Sequence, residues 1–282
     1  MALPPIVFRT ILRTITTDKE RARAELLAAV LFVGCRSCEY SVVPRKEQKT
    51  RPLRIQDVEF KIGARTILHN STELHRAQVV IIKFGPQKTG VYSDEIPIYR
   101  NNDKELNPVR LWAKVISRLR SHPKHRESWP VFTYFDKQSG RRNNIKSSEI
   151  LQDIRTAVEV VGQDVLGFGP KAVGTHSVRA SLAMMLYLQK VPPYTIMLVG
   201  RWRSDAFLSY IEKQCNEFTK ELSSIMLGLE TFYQLPQAFH HRDLTQTRPE
   251  NPNHPPNAPK SSRRAHFIHY GRRNALRSHA SA

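Results

Sequence analysis

The regular spacing of apolar residues stops at about Pro236, and that break sets how much of this 282-residue chain can fold. Beyond it prolines recur in "RPENPNHPPNAPK", and the end of the chain, "SSRRAHFIHYGRRNALRSHASA", has few apolar side chains to bury. Residues 236–282 are therefore expected to form a disordered basic tail, and residues 1–235 a globular part. With hydrophobic residues at 40%, that part has the material for a real core. Six of the eleven histidines fall in the tail, scattered rather than at zinc-binding spacing.

Helix and strand signals alternate within the globular part. Thr17 and Glu20 form a capping-box pattern ahead of Leu26, Leu27, Val30 and Leu31, which predicts a buried helix running into "FVGCRSCEY" with Arg36 at its end. Leu53, Ile55, Val58, Phe60 and Ile62 nearly alternate with polar residues. "QVVIIKFGPQKTGVYSDEIPIY" then reads as two strands around a turn, with Lys88 at the tip. Asn107 as N-cap and Pro108 at the first helical position open a helix with Val109, Trp112, Ile116 and Leu119 on one stripe. Arg110, Lys114, Arg118 and Arg120 decorate its other faces. Ser147 or Ser148 caps a further helix that ends at Gly162. The fold class expected is α+β, mostly helical, with a small antiparallel sheet.

Charge narrows the partner. Lys plus Arg number 44 against 25 acidic residues, a net charge of +19. The tail holds eight Lys or Arg and two acids, so residues 1–235 keep a net +13. Such a balance suits a nucleic-acid partner. No run of about 18 apolar residues is present, and the first twenty residues carry arginines where a secretion signal needs an apolar core, so no membrane partner and an intracellular location are expected. Cys35, Cys38 and Cys215 cannot build a disulfide framework, and "CRSC" lacks the second ligand pair of a zinc site.

The densest chemistry lies in "THSVRASLAMMLYLQKVPPYTIMLVGRWRSDAFLSYIEK". With Thr175 as N-cap, His176 and Arg179 fall in the first turn of a helix, on a face expected to project away from the core beside an anion-favouring N-terminus. A phosphate there would meet a guanidinium fork and an imidazole donor. "VPPYTIMLVG" reads as a short helix started by prolines and stopped by Gly200, and Ser204 or Asp205 caps another that carries Tyr210. A phenol with a pKa near 10 is a poor nucleophile at neutral pH unless cations stabilise the charge.

The order Arg, Lys, His-x-x-Arg, Trp, Tyr resembles the tyrosine recombinases, or phage-type integrases, with their topoisomerase IB relatives. The resemblance rests on "GCRSCE", "GPQKTG", "HSVR", "GRW" and Tyr210, and spans roughly residues 5–228. "GRWRSDAFLSYI" is most similar to recombinases of crypton-type eukaryotic mobile elements. The resemblance implies a tyrosine-recombinase catalytic domain in which Tyr210 attacks a DNA phosphate. Arg36 and Arg179 would bind its nonbridging oxygens, His176 and Trp202 would add donors, and Lys88 would protonate the leaving oxygen. Glu39 would orient an arginine. It implies no metal or nucleotide cofactor, double-stranded DNA as partner, a homotetramer on that DNA, and a nuclear location in a eukaryote. Arg201, Arg203, Arg110, Lys114 and Arg118 are the expected DNA contacts.

Two departures accompany the resemblance. The family's His or Trp usually precedes the nucleophile by about nine residues, whereas Trp202 precedes Tyr210 by eight and Arg201 holds the ninth place. The family's N-terminal helical clamp domain is also not evident, since the catalytic motifs begin near the first residues. A non-catalytic DNA-binding protein derived from a mobile element is the alternative. Relaxation of supercoils without recombination and structural RNA binding are the other readings. Lys83 competes with Lys88, and Tyr187 and Tyr194 are the other tyrosines of the segment.

Overall fold

The computed structural model describes residues 1–44, 50–85, 94–136, 139–202 and 207–212, the side chains of Asp94, Tyr210 and Glu212 excepted. The chain divides into two units, Met1–Ser223 and Ser224–Ala282, and all of these residues belong to the first. The expected tail, Lys88 and Arg203 lie outside the described residues.

The helix α2 (Asp18–Leu31) forms the axis of the unit. Thr17 accepts the Glu20 N–H and Glu20 reaches back to the N-cap backbone, so the capping box forms. Its alanines and leucines are buried almost all round between residues 22 and 31, as a helix covered on every side requires. α1 (Pro5–Arg13), α4 (Pro108–Arg120) and α7 (Ser177–Leu188) pack on it. In α4 the Asn107 side chain accepts the Arg110 N–H, and Val109, Trp112, Ile116 and Leu119 turn inward. Each such fully buried side chain contributes about 1.5–3 kcal/mol.

A four-stranded antiparallel sheet of order β2-β1-β3-β4 covers one side, built from β1 (Val58–Ile62), β2 (Arg65–Ile67), β3 (Val79–Phe84) and β4 (Asp94–Tyr99). In β3, Val80, Ile82 and Phe84 are buried and the alternate residues half-buried, the period of two of a strand covered on one face. Val80 lies opposite Phe60 on one side and Ile98 on the other. Pro97 sits in the edge strand, the place where a missing N–H is tolerated. A second pair, β5 (Thr133–Phe135) and β6 (Arg142–Asn144), leads into α5 (Ser147–Val161). Here the N-cap is Lys146, one residue before the serines expected to cap, because Glu149 accepts the Lys146 N–H. The fold is thus α+β and mostly helical, with a small antiparallel sheet.

Two short helices complete the part that concerns function. After α6 (Gln163–Leu166) and α7, α8 (Pro193–Gly200) and α9 (Leu208–Glu212) close a separate small core of Ala183, Ile196, Phe207 and Ile211. That core seats α9, and with it the backbone of Tyr210.

Candidate functional site

Arg36 stands where α2 gives way to α3 (Ser37–Tyr40) rather than on α2 itself. The chain turns at Gly34, whose φ of +53° suits glycine and whose missing Cβ leaves room for Leu182 Cδ2, 2.6 Å from where it would stand. Arg36 becomes the N-cap of α3, and its N–H donates to Glu39 Oε2 at 2.7 Å. Its guanidinium is 31% exposed and lies 3.4 Å from Glu39 Oε1.

Glu39 is buried, and its main partner is Arg201. The Arg201 guanidinium grips both carboxylate oxygens, Nη1 to Oε1 at 2.9 Å and Nη2 to Oε2 at 2.8 Å, with side chains 2% and 1% exposed. The Arg201 guanidinium carbon also lies over the Phe84 ring, 3.4 Å from its centroid. Burial pushes the Glu39 carboxyl up, but the bonds and charge of Arg201, with the Arg36 N–H, outweigh it and hold the group below the usual carboxylate range. Arg201 was expected to contact DNA; it is instead a buried structural cation. The ninth-place residue before Tyr210 is therefore buried.

Arg179 also differs from expectation. The helix begins at Ser177, with His176 at the N-cap position, one residue later than a cap at Thr175 would have started it. All eight residues from Ser177 through Met184 are buried, so the first turns of α7 have no outward face. Arg179, 5% exposed, points back into the protein: Nη1 donates to the Gly34 carbonyl at 2.6 Å and Nη2 to the Gly200 carbonyl at 2.5 Å. The Trp202 ring packs on its guanidinium, 4.4 Å from centroid to carbon. Gly200 makes this possible, because the Trp202 ring fills the space a Cβ would take. His176 is exposed at the start of α7.

The sequence-predicted residues Arg36, Glu39, Arg179 and Trp202 thus meet in one cluster, held by the Gly34 and Gly200 carbonyls. Tyr210 belongs to α9 by its backbone, next to buried Ile211; its side chain and Lys88 lie outside the described residues. The competing Lys83 is engaged elsewhere, its Nζ 2.7 Å from Glu59 on β1, and that hydrogen bond raises its pKa. Arg51 is a residue the motifs did not point to. Its guanidinium occupies the space beside Gly85, at the root of the 86–93 segment, and donates to Asp57 at 2.8 Å. Only the glycine at the end of β3 hinted at such a close approach.

The other expected DNA contacts divide. Arg110 and Lys114 are exposed on α4. Arg118 is not: it is half-buried and donates to the Thr133 and Ala22 carbonyls, both at 3.4 Å, and burial lowers its pKa against the opposing effect of Glu25. An open cleft of about 620 Å³ lies between α2 and α4, lined by Glu25, Lys114, Arg118, His122 and Phe135, and contains none of the clustered residues. Among the described residues no group of His, Cys, Asp and Glu is placed to hold a metal. No described helix is long and apolar enough to cross a membrane.

No protein-family model and no curated protein sequence matches the chain. Solved structures do. The XerH site-specific recombinase bound to palindromic difH substrate, in a post-cleavage complex, superposes with a TM-score of 0.49 at 16% identity, over 79% of this chain and 51% of that one. The Tn1549 transposon integrase in complex with transposon right end DNA gives 0.44 at 12% identity, over 82% and 66%. XerA recombinase gives 0.44 at 14%, also over 82% and 66%. The chain spans about half the length of the XerH structure.

Proposed function

We infer that this chain breaks and rejoins DNA strands with Tyr210 as nucleophile. The observation that carries the reading is the meeting of three segments far apart in sequence, residues 34–39, Arg179 and residues 200–202, in one bonded cluster with Arg36 at its surface. These are the segments that carry the recombinase-like motifs. In the reaction, the Tyr210 phenol gives up its proton to solvent and its oxygen bonds to phosphorus while the bond from phosphorus to the 5′ oxygen breaks. The products are a 3′-phosphotyrosyl link and a 5′-hydroxyl that takes its proton from Lys88. Attack by the 5′-hydroxyl of a partner strand reverses the chemistry and joins the new strand.

The barrier falls because fixed cations meet charge as it develops on the five-coordinate phosphorus. Arg36 contributes the surface guanidinium, and Arg179 a buried positive charge in the same cluster. His176 and Trp202 complete the donor set. The substrate is double-stranded DNA, and the assembly is a homotetramer bringing two duplexes together. The motif likeness favours a mobile element of crypton type as the source, with action in the nucleus if that source is eukaryotic.

One observation favours a second reading, a DNA-binding protein that does not cleave. Arg179 donates both terminal nitrogens to backbone carbonyls, the geometry of a structural strut. Trapping on nicked suicide DNA taken from the termini of its own element separates the two. A metal-independent covalent adduct, absent in Tyr210→Phe, supports strand cleavage; DNA binding with no adduct selects the binder.

A further inference from the structure

Two features of Arg201 are each unfavourable alone. Its backbone is left-handed, with φ of +56°, a conformation that a residue with a Cβ adopts at a cost. Its charge is buried against Glu39, and such a pair gains little over apolar side chains of the same size because both ions must leave water. Both features fall on one residue, the C-cap of α8, where the chain sets off toward α9 and Tyr210. Strain and buried charge at one junction are more readily explained by geometry that must be held than by stability.

We propose that Arg201 is a positioning residue that locks Arg36 and Trp202 into one frame. Through its side chain it fixes the Glu39 carboxylate, and that carboxylate takes the Arg36 N–H and faces the Arg36 guanidinium. Through its backbone it places the Gly200 carbonyl under Arg179 and turns Trp202 onto the same guanidinium. Phe84, the last residue of β3, is pressed against its other face, so the frame includes the strand that leads to Lys88. A lysine cannot replace it, since an ammonium has neither the planar fork for two oxygens nor the flat surface for the ring.

The functional consequence rests on the reading of this chain as a strand-cleaving enzyme. The test compares wild type, Arg201→Lys, and Glu39→Leu combined with Arg201→Met, for single-turnover cleavage of suicide DNA, affinity for the same DNA, melting, and the NMR signals of Arg36 Nε–H and the Trp202 indole. Expected are unchanged DNA affinity in both variants, cleavage slowed by about 100-fold, and shifted Arg36 and Trp202 signals. The double variant melts at or above wild type, since apolar replacement of a buried pair is neutral or stabilising. Cleavage at the wild-type rate in Arg201→Lys or in the double variant overturns the proposal. Should the double variant fail to fold, Arg201→Lys decides, because it keeps the charge and loses only the fork. Should wild type itself not cleave, the strand-cleavage reading falls, and the positioning claim stands or falls on whether the Arg36 and Trp202 signals move.

Discussion

Gly200 has to be a glycine because the Trp202 ring stands where its Cβ would project. Gly200→Ala is therefore expected to lose about 1–3 kcal/mol, the usual cost of overpacking, read as a lower urea midpoint with an altered Trp202 signal. Tyr40 provides the opposite case. It is fully buried, its hydroxyl has no hydrogen-bond partner among the described residues, and burial pushes its pKa up. Tyr40→Phe removes an unsatisfied polar group without opening a cavity, so stability should stay level or rise by about 1 kcal/mol at unchanged denaturant slope. Glu39 ties stability to pH. Its folded pKa lies below the unfolded value, so its contribution is complete above about pH 4.3 and is lost as pH falls through the folded value. Unfolding curves measured down an acid series should show that loss in wild type and not in the Glu39→Leu/Arg201→Met variant.

Helix caps and strand alternation were the most legible elements, because both are local. Thr17 with Glu20 and Asn107 with Pro108 mark starts that the structure reproduces, and the alternation through Val58 and Phe60 identifies the buried face of β1. Thr17→Ala should cost about 1 kcal/mol, seen as a lower thermal midpoint, since the hydroxyl that accepts the Glu20 N–H at the start of the central helix goes with it. α7 shows where such reading ends. A helical wheel relates residues within one helix but says nothing of what covers each side. The N-terminal segment reaches α7, with the Leu3 N–H donating to Ser181 Oγ at 2.7 Å, and the Gly34 carbonyl in the turn after α2 accepts from Arg179. Arg179 was placed in the right element and given the wrong direction. Arg201 was harder still. Charge argues for exposure by default, and only a partner 162 residues away in sequence reverses that default.

At the scale of the whole molecule, the proposed binding of DNA by a chain of net charge +19 predicts an affinity that falls steeply with salt. Each phosphate neutralised adds about 0.9 to the slope of log K against log salt. Arg110→Ala with Lys114→Ala should reduce that slope by about 2, whereas Arg118→Ala should leave it unchanged, because its guanidinium is spent on the Ala22 and Thr133 carbonyls. The motifs identified which segments assemble, while the fold determined which of their cations face outward. The proposed strand cleavage has one reacting residue, Tyr210, whose backbone belongs to α9 beside the buried Phe207 and Ile211. The most direct test is mass spectrometry of the protein trapped on nicked DNA, digested to peptides, to find which side chain carries the nucleotide. A 3′-linked nucleotide on Tyr210 is the result expected; DNA bound without any adduct, or an adduct on Tyr187 or Tyr194, would contradict the account.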